Sequence, residues 1–256
     1  MNPAVAAALA GALALVGRGL GWLNTGGALA AAAVGTAVFI GSGPAGAALL
    51  ALFFVSGSLL TKYSSRSRRN RLDAQTGGRT ARQVLANGGC AAVGALMVPD
   101  WEGGWALLLG ALAAAQADTW ATEIGAFSTK PPRLISTGVV VPPGTSGGVT
   151  LLGSVGGFMG ASVMATLAMV MGLSATVTIA GLLAGFVAMM WDSLLGATVQ
   201  GIYHCDRCDA VGERPQHKCG DRARLTRGWA WLDNDAVNLV ATCSGGAVAV
   251  VLWWII

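Results

Sequence analysis

Residues 104–127 read GWALLLGALAAAQADTWATEIGAF, an apolar run long enough to cross a hydrocarbon core of about 30 Å, with two acids, Asp118 and Glu123, in its second half. An Asp near the middle of a spanning helix costs about 2.5 to 3.5 kcal/mol on insertion scales. The two carboxylates therefore need partners, water or a metal ion, and acids inside spans are functional by default. On a helix Asp118 and Thr122 lie four apart, as do Thr119 and Glu123, so two polar pairs occupy adjoining strips of one side. That pattern suits a cation or a phosphate clamp. Its bland counterpart is a carboxylate hydrogen-bonded to a Thr or Trp of a neighbouring helix.

The rest of the 256-residue chain has the same apolar character. It is 54% hydrophobic and 11% charged, with a mean hydropathy of +0.62, which excludes an ordinary soluble domain. The expected fold is all-α: one transmembrane helical bundle over 1–256 with seven to eight spans, and a small cytosolic Cys/His loop at 203–228 inserted before the last of them. Candidate spans fall at about 4–20, 27–41, 44–61, 82–98, 104–127, 150–173, 175–201 and 235–256. The second and third are split by Gly41, Ser42, Gly43 and Pro44, so residues 27–61 read as a hairpin, a re-entrant pair or one broken helix. The first three spans are rich in Ala and Gly and read as packing surfaces without chemistry. No basic region precedes the first apolar run, so no cleavable signal is expected.

All 16 Lys and Arg fall in four connecting regions: Arg18; Lys62 to Arg82; Lys130 and Arg133; and Arg207 to Arg227. With eight spans these regions share one face, which the positive-inside rule makes the cytosol, and both termini face outside. The net charge of +4 and pI near 9.0 thus describe one surface, suited to anionic headgroups or an anionic substrate. Nucleic acid is not an expected partner, because the basic loops match no recognition motif. Five Cys are too few for a disulfide scaffold; Cys90 and Cys243 lie in spans as core filler, and three gather in one loop.

Several polar motifs open toward that basic face. Gly77, Gly78, Arg79 and Arg82 stand at the mouth of the fourth span and could receive a phosphate, and Gln83 and Asn87 follow at helical spacing. The loop STKPPRLISTGVVVPPGTSGGV, 128–149, ends in Gly144, Thr145, Ser146, Gly147 and Gly148 just before a span, where exposed N–H groups attract anions; it lacks the Lys of a Walker loop. In WDSLLGATVQG, 191–201, Asp192, Gly196 and Gln200 share a face. Asp192 and Asp118 each stand about 14 Å from the inner end of their expected span, a matched depth that two arms of one site require. HCDRCDAVGERPQHKCG, 204–220, offers Cys205, Cys208, His217 and Cys219 as four ligands for one structural zinc, with His204 as a substitute. WLDNDAVN, 231–238, opens the last span; Asp233 reads as a helix cap, and Asp235 and Asn238 share a face near the inner surface.

Together ADTWATEIG, PPGTSGG, WDSLLGATVQ and WLDNDAVN resemble the integral-membrane family that includes plant phytyl-phosphate kinase of tocopherol synthesis and its prokaryotic relatives. The likeness runs from about Asn87 onward. More distantly, the D-T-x-A-x-x-x-G pattern from Asp118 to Gly125 is similar to CTP-dependent polyprenol kinases and CDP-diacylglycerol synthases, although no Lys stands beside Thr145. The resemblance implies transfer of the terminal phosphoryl group of CTP to an isoprenyl monophosphate at the cytosolic face. On that reading Asp118, Glu123, Asp192 and Asp235 hold Mg2+, with Asn87, Thr122 and Asn238 as neutral contacts. Gly144, Thr145, Ser146 and Gly147 hold the nucleotide phosphates, and Arg79, Arg82, Lys130 and Arg133 receive the lipid phosphate. Expected partners are the isoprenyl monophosphate, CTP, membrane lipid and a second copy of the chain as a homo-oligomer. Competing readings are a cytidylyltransferase releasing pyrophosphate, an ion or lipid transporter, and a membrane scaffold whose zinc loop binds a partner.

Overall fold

The computed structural model of the chain describes residues 2–67, 77–217 and 219–256, with residues 65–67 described by backbone alone. Most of the basic segment after Lys62, residues 68–76, lies outside the described residues, as does Lys218. Helices α1 (Pro3–Gly19), α2 (Thr25–Ser67), α3 (Ala81–Met97) and α4 (Gly103–Gly125) come first. A two-stranded ribbon, β1 (Arg133–Leu134) with β2 (Gly148–Val149), then leads to α5 (Leu151–Val170) and α6 (Ala175–Thr198). Strands β3 (Ile202–Cys205), β4 (Ala210–Gly212) and β5 (Arg224–Arg227) precede the last helix, α7 (Asn234–Ile255).

Helix α4 is the hub of the bundle, packing against α2, α3, α5, α6 and α7. Every residue from Leu108 to Ala117 is buried, as befits a helix that is apolar around its whole circumference. Its Ala and Gly positions let neighbouring backbones come close, and in lipid that packing replaces the hydrophobic effect as the source of helix association. A Cβ added at Gly110 would lie 2.5 Å from the Gly245 carbonyl oxygen of α7. On α5, Gly153, Gly156, Gly157 and Gly160 fall at helical spacing and press against Ala121, Ile124, Ala117 and Trp120 of α4.

The alternatives for residues 27–61 resolve into a hairpin. Gly43, at φ 64° and ψ −156°, sits in a region open essentially to glycine alone, and Pro44 starts the second arm with a φ already set for a helix. A straight helix would hold Gly27 and Gly57 about 45 Å apart. Instead both abut Arg79, Gly27 at its backbone and Gly57 at its guanidinium. Phe54 likewise packs against the cluster of Ala14, Leu23 and Ala28, with the Trp22 and Phe54 ring centroids 5.7 Å apart. The second arm, residues 44–67, runs beside α4 in the same direction, Gly46 against Leu108 and Gly57 against Thr119.

By length and composition four helical segments can cross a membrane: Thr25–Ser64, Leu151–Val170, Ala175–Thr198 and Asn234–Ile255, with Pro3–Gly19 shorter. The mostly helical membrane bundle is thus present, while the full number of crossings stays an expectation of the sequence. One part of the all-α reading needs correction, because the Cys/His loop is built on a three-stranded antiparallel sheet in the order β4-β3-β5. Its strands have three or four paired residues each, too short for alternation of apolar and polar side chains to announce them.

Candidate functional site

The basic-end half of α4 carries its polar side chains toward the second arm of α2. Gln116, fully buried, accepts from Ser56 Oγ at 3.3 Å and donates to the Gly160 carbonyl at 3.3 Å. Trp120 donates its indole N–H to Ser56 at 3.2 Å. Two turns on from Gln116, the buried Glu123 accepts from Thr61 Oγ1 at 3.0 Å and from Ser64 Oγ. The bland expectation of a carboxylate bonded to a neighbouring Thr therefore describes Glu123's immediate surroundings. The packing surface expected of the third span thus carries polar contacts too, with Ser56, Thr61 and Ser64 of α2 as partners of α4.

Asp118 and Asp192 both lie about two turns from the C-terminal ends of their helices. Asp118 is close enough to Glu123, and Asp192 to Asp118 and to Glu213 of the Cys/His loop, for their charges to repel. Asp192 Oδ2 is buried and has no hydrogen-bond partner among the described residues. A guanidinium stands at the other end of this chain of acids: Arg79 lies within electrostatic reach of Glu123 and over the rings of Phe53 and Phe54, 5.7 and 5.8 Å from their centroids. A buried carboxylate oxygen with no donor beside it, flanked by further acids, fits a divalent cation better than it fits a protein partner. Among the candidates, Asp118, Glu123 and Asp192 are the acids that lie within electrostatic reach of one another in sequence along this line. Thr122 is exposed on the same turn of α4.

Over this group folds the PGTSGG loop. Gly147 has φ 77°, and a Cβ there would fall 2.4 Å from the Ala197 backbone nitrogen, so the loop rests directly on the last turn of α6. Ser146 donates its hydroxyl hydrogen to Glu213, and Thr145 donates to the Pro142 carbonyl at 2.8 Å. Both hydroxyls expected to hold nucleotide phosphates are thus engaged within the protein. Thr150 caps α5, accepting from the Gly153 N–H at 3.0 Å. Arg227 of β5 donates to the Gly196 carbonyl at 2.8 Å, and Gln200 is buried beside it. Gly144 is exposed at the rim of the loop.

Other candidates stand elsewhere. Arg82 grips Asp233 and lies 3.8 Å from Asp235, and Asp235 also feels Asp233 and Arg214. Asp235 therefore groups with α3 and the loop before α7, not with the acids of α4 and α6. Asn87 donates to the Gln83 carbonyl of its own helix at 3.1 Å, and Asn238 is half-buried one turn into α7. Arg133 donates to the Gly138 carbonyl at 2.8 Å, while Lys130 is exposed. The cap reading of Asp233 holds, its side chain accepting from the Ala236 N–H at 3.0 Å.

Donor atoms of Cys205, Cys208, His217 and Cys219 all lie within 4.8 Å of one another, a grouping that could hold one metal ion. The backbone N–H of Asp221 and the ring of His217 hold the Cys219 thiol down at about 6, and hydrogen bonding with Cys219 pushes Cys208 up to about 11. His204 is not a fifth member. Its two ring nitrogens face Asp206 at 3.0 Å and Asp209 at 2.9 Å, contacts that raise its pKa above the ordinary imidazole value.

Sequence reading did not single out Glu213, Gln116, Arg227, or the hydroxyls of α2. Only Gln116, an amide in an otherwise apolar run, carried a signal that inspection could have used.

The chain is similar to Protein PGR of Arabidopsis thaliana, 32% identical over 225 residues covering 76% of each chain. It is 28% identical to the uncharacterized membrane protein MJ0933 of Methanocaldococcus jannaschii, over 80% of this chain and 75% of that one. To Protein VTE6, chloroplastic, of Arabidopsis thaliana it is 25% identical, over 90% of this chain and 65% of that one. No solved structure matches. With residues 8–246 matching, the chain belongs to the integral membrane protein family DUF92.

Proposed function

We propose that this chain is a membrane phosphotransferase that carries the terminal phosphoryl group of CTP to an isoprenyl monophosphate, yielding the diphosphate and CDP at the cytosolic surface. The observation that carries the reading is Asp192 Oδ2, buried and without a donor among the described residues, within electrostatic reach of Asp118 and Glu213 beneath the PGTSGG loop. Motif resemblance to the phytyl-phosphate kinase family and the match to VTE6 support the substrate class.

An oxygen of the lipid monophosphate attacks the γ-phosphorus of CTP, and the bond from that phosphorus to the β,γ-bridging oxygen breaks, its electrons leaving with CDP. No strong base is required, because the attacking phosphate is already anionic. The work left to the protein is positioning and charge neutralisation. Asp118, Glu123 and Asp192 would hold Mg2+, which when bound neutralises the phosphate oxygens, and Asp235 and Asn238 would guide substrate from the α7 side. Thr61 and Ser64 fix the Glu123 carboxylate so that it does not swing with each turnover. Gly144, Ser146 and Gly147 approach the nucleotide through backbone N–H groups, since both hydroxyls already have acceptors and the Thr145 N–H, like its hydroxyl, is donated to the Pro142 carbonyl, leaving Thr145 to shape the loop. Arg79, Arg82, Lys130 and Arg133 receive the lipid phosphate, with Asn87 and Thr122 as neutral contacts.

The test is CTP or ATP labelled in its terminal phosphate, offered to purified protein with phytyl, geranylgeranyl and farnesyl monophosphates, with Mg2+ present or chelated. Label in the lipid diphosphate together with CDP is the expected result. Release of pyrophosphate would replace the kinase with a cytidylyltransferase, and no transfer to any prenyl phosphate would remove the assignment.

A further inference from the structure

We propose that Cys205, Cys208, His217 and Cys219 bind one zinc ion, and that this ion clamps the β3–β4 ribbon so that Glu213 stays seated on Ser146 of the PGTSGG loop. A tetrahedral zinc with sulfur at about 2.3 Å and nitrogen at about 2.0 to 2.1 Å spaces its ligand atoms roughly 3.5 to 3.8 Å apart. The Cys205 and Cys219 sulfurs stand 3.7 Å apart, His217 Nδ1 lies 3.2 Å from the Cys219 sulfur, and all four donors fall within 4.8 Å. Asp209 makes that convergence possible by taking φ 48°, a left-handed conformation that Asp tolerates, which turns the chain between the first Cys pair and β4. Three thiolates and an imidazole are soft donors that select zinc over magnesium, and four of them leave no open position, so the ion is structural.

The ribbon needs such a clip. Among the described residues of 202–227 only Tyr203 and Cys205 are buried, far too little apolar surface to hold a three-stranded sheet in one arrangement. Glu213 lies between the two ligand pairs, so the ion fixes the chain on both sides of it. From there it accepts the Ser146 hydroxyl, while Arg227 of the same sheet donates to the Gly196 carbonyl. The ribbon is thereby fastened to the PGTSGG loop and to the end of α6 at once. Metal binding stands independently of the phosphotransferase reading, and so do the measurements that test it.

Full-length protein purified in detergent and exposed to zinc should carry about one zinc per chain by mass spectrometry of the metal. Cys208→Ser and Cys219→Ser should each retain less than about a tenth of it, whereas His204→Ala should keep it all. His217→Ala should lose the ion and His217→Cys, which supplies a fourth sulfur, should keep it, which separates lost ligation from lost folding. Cobalt in place of zinc should give the thiolate charge-transfer and tetrahedral d–d absorption. For the clamp, stripping zinc should accelerate amide hydrogen exchange at residues 145–148 by roughly tenfold or more in the wild-type chain, and much less in Ser146→Ala, where the tie is already cut. Zinc-free wild-type protein after exposure to the metal, or full zinc in Cys208→Ser, would overturn the site. Exchange at 145–148 that ignores the metal would overturn the clamp.

Discussion

Arg82 holds Asp233 through two N–H groups, Nη1 to Oδ2 at 2.6 Å and Nη2 to Oδ1 at 2.9 Å, tying the first turn of α3 to the cap of α7. Asp233 also accepts the Ala236 N–H, so one carboxylate both starts a helix and joins two. The side chains are 59% and 35% exposed, which screens the ion pair to about 0.5 to 1 kcal/mol. Loss of the cap adds about 1 kcal/mol. Asp233→Ala should therefore lower the thermal midpoint in detergent more than Arg82→Ala does, and Asp233→Asn, which still caps, should lose about as much as Arg82→Ala. Equal losses in all three would show that the ion pair, not the cap, is what matters.

Ionised together, Asp118 and Asp192 would repel each other in a poorly solvated site, an arrangement that folding alone would not favour. Asp192→Asn should remove that repulsion and raise the thermal midpoint by an amount corresponding to about 1 kcal/mol or more, while phosphoryl transfer drops roughly 100- to 1000-fold. Asp118→Asn should behave the same way. Stability and activity moving in opposite directions is the signature of groups retained for a ligand. A variant that loses both together would make Asp192 a structural residue, and one that keeps near-wild-type turnover would leave the mechanism without it.

Glu123 tests a different kind of burial. It is held by Thr61 and Ser64 and stands near Arg79, so replacing it leaves a cation and two hydroxyl donors without their acceptor. Glu123→Ala should destabilise by about 2 to 4 kcal/mol, and Ser64→Ala alone by about 1 kcal/mol. In the double variant the two losses should fall short of additivity by about 1 kcal/mol, because the second change removes a bond already broken. Additive thermal shifts would mean that the Ser64 contact contributes nothing.

The acids of α4 and α6 could be found in the sequence because a charge within an apolar run is visible in one dimension, and helix rise alone puts Asp118 and Asp192 at a common depth. Gly43 and Pro44 likewise marked the reversal of α2, though not whether the arms would fold together. The hydroxyls of α2 could not be singled out. Ser58 bonds the Phe54 carbonyl of its own helix and Ser64 reaches across to Glu123, yet nothing in their immediate neighbours distinguishes a hydroxyl satisfied locally from one that crosses. Asp235 joined the other acids only through the family resemblance, not through depth or spacing. Position around the bundle is the missing coordinate, and α7 enters beside α3, where Thr242 donates to the Ala86 carbonyl at 2.8 Å. Glu213 looked like any acid of a polar loop, because its partner Ser146 lies 67 residues away.

Gly147 and Gly144 offer a paired test of how the PGTSGG loop is seated. Both take positive φ, 77° and 88°, so a side chain at either costs about 1 to 2 kcal/mol in backbone conformation. Only Gly147 adds a collision: its Cβ would meet Ala197 at 2.4 Å from the backbone nitrogen, whereas none of the described residues comes within 4 Å at Gly144. Gly144→Ala should therefore fold and retain most activity with a modestly lower thermal midpoint. Gly147→Ala must lift the loop from α6, carrying Ser146 away from Glu213, and should cost a further roughly 1 to 3 kcal/mol together with most phosphoryl transfer. Crystals or exchange data showing the loop unmoved in Gly147→Ala, or a Gly144→Ala enzyme equally impaired, would mean that conformation rather than contact with α6 sets the loop in place.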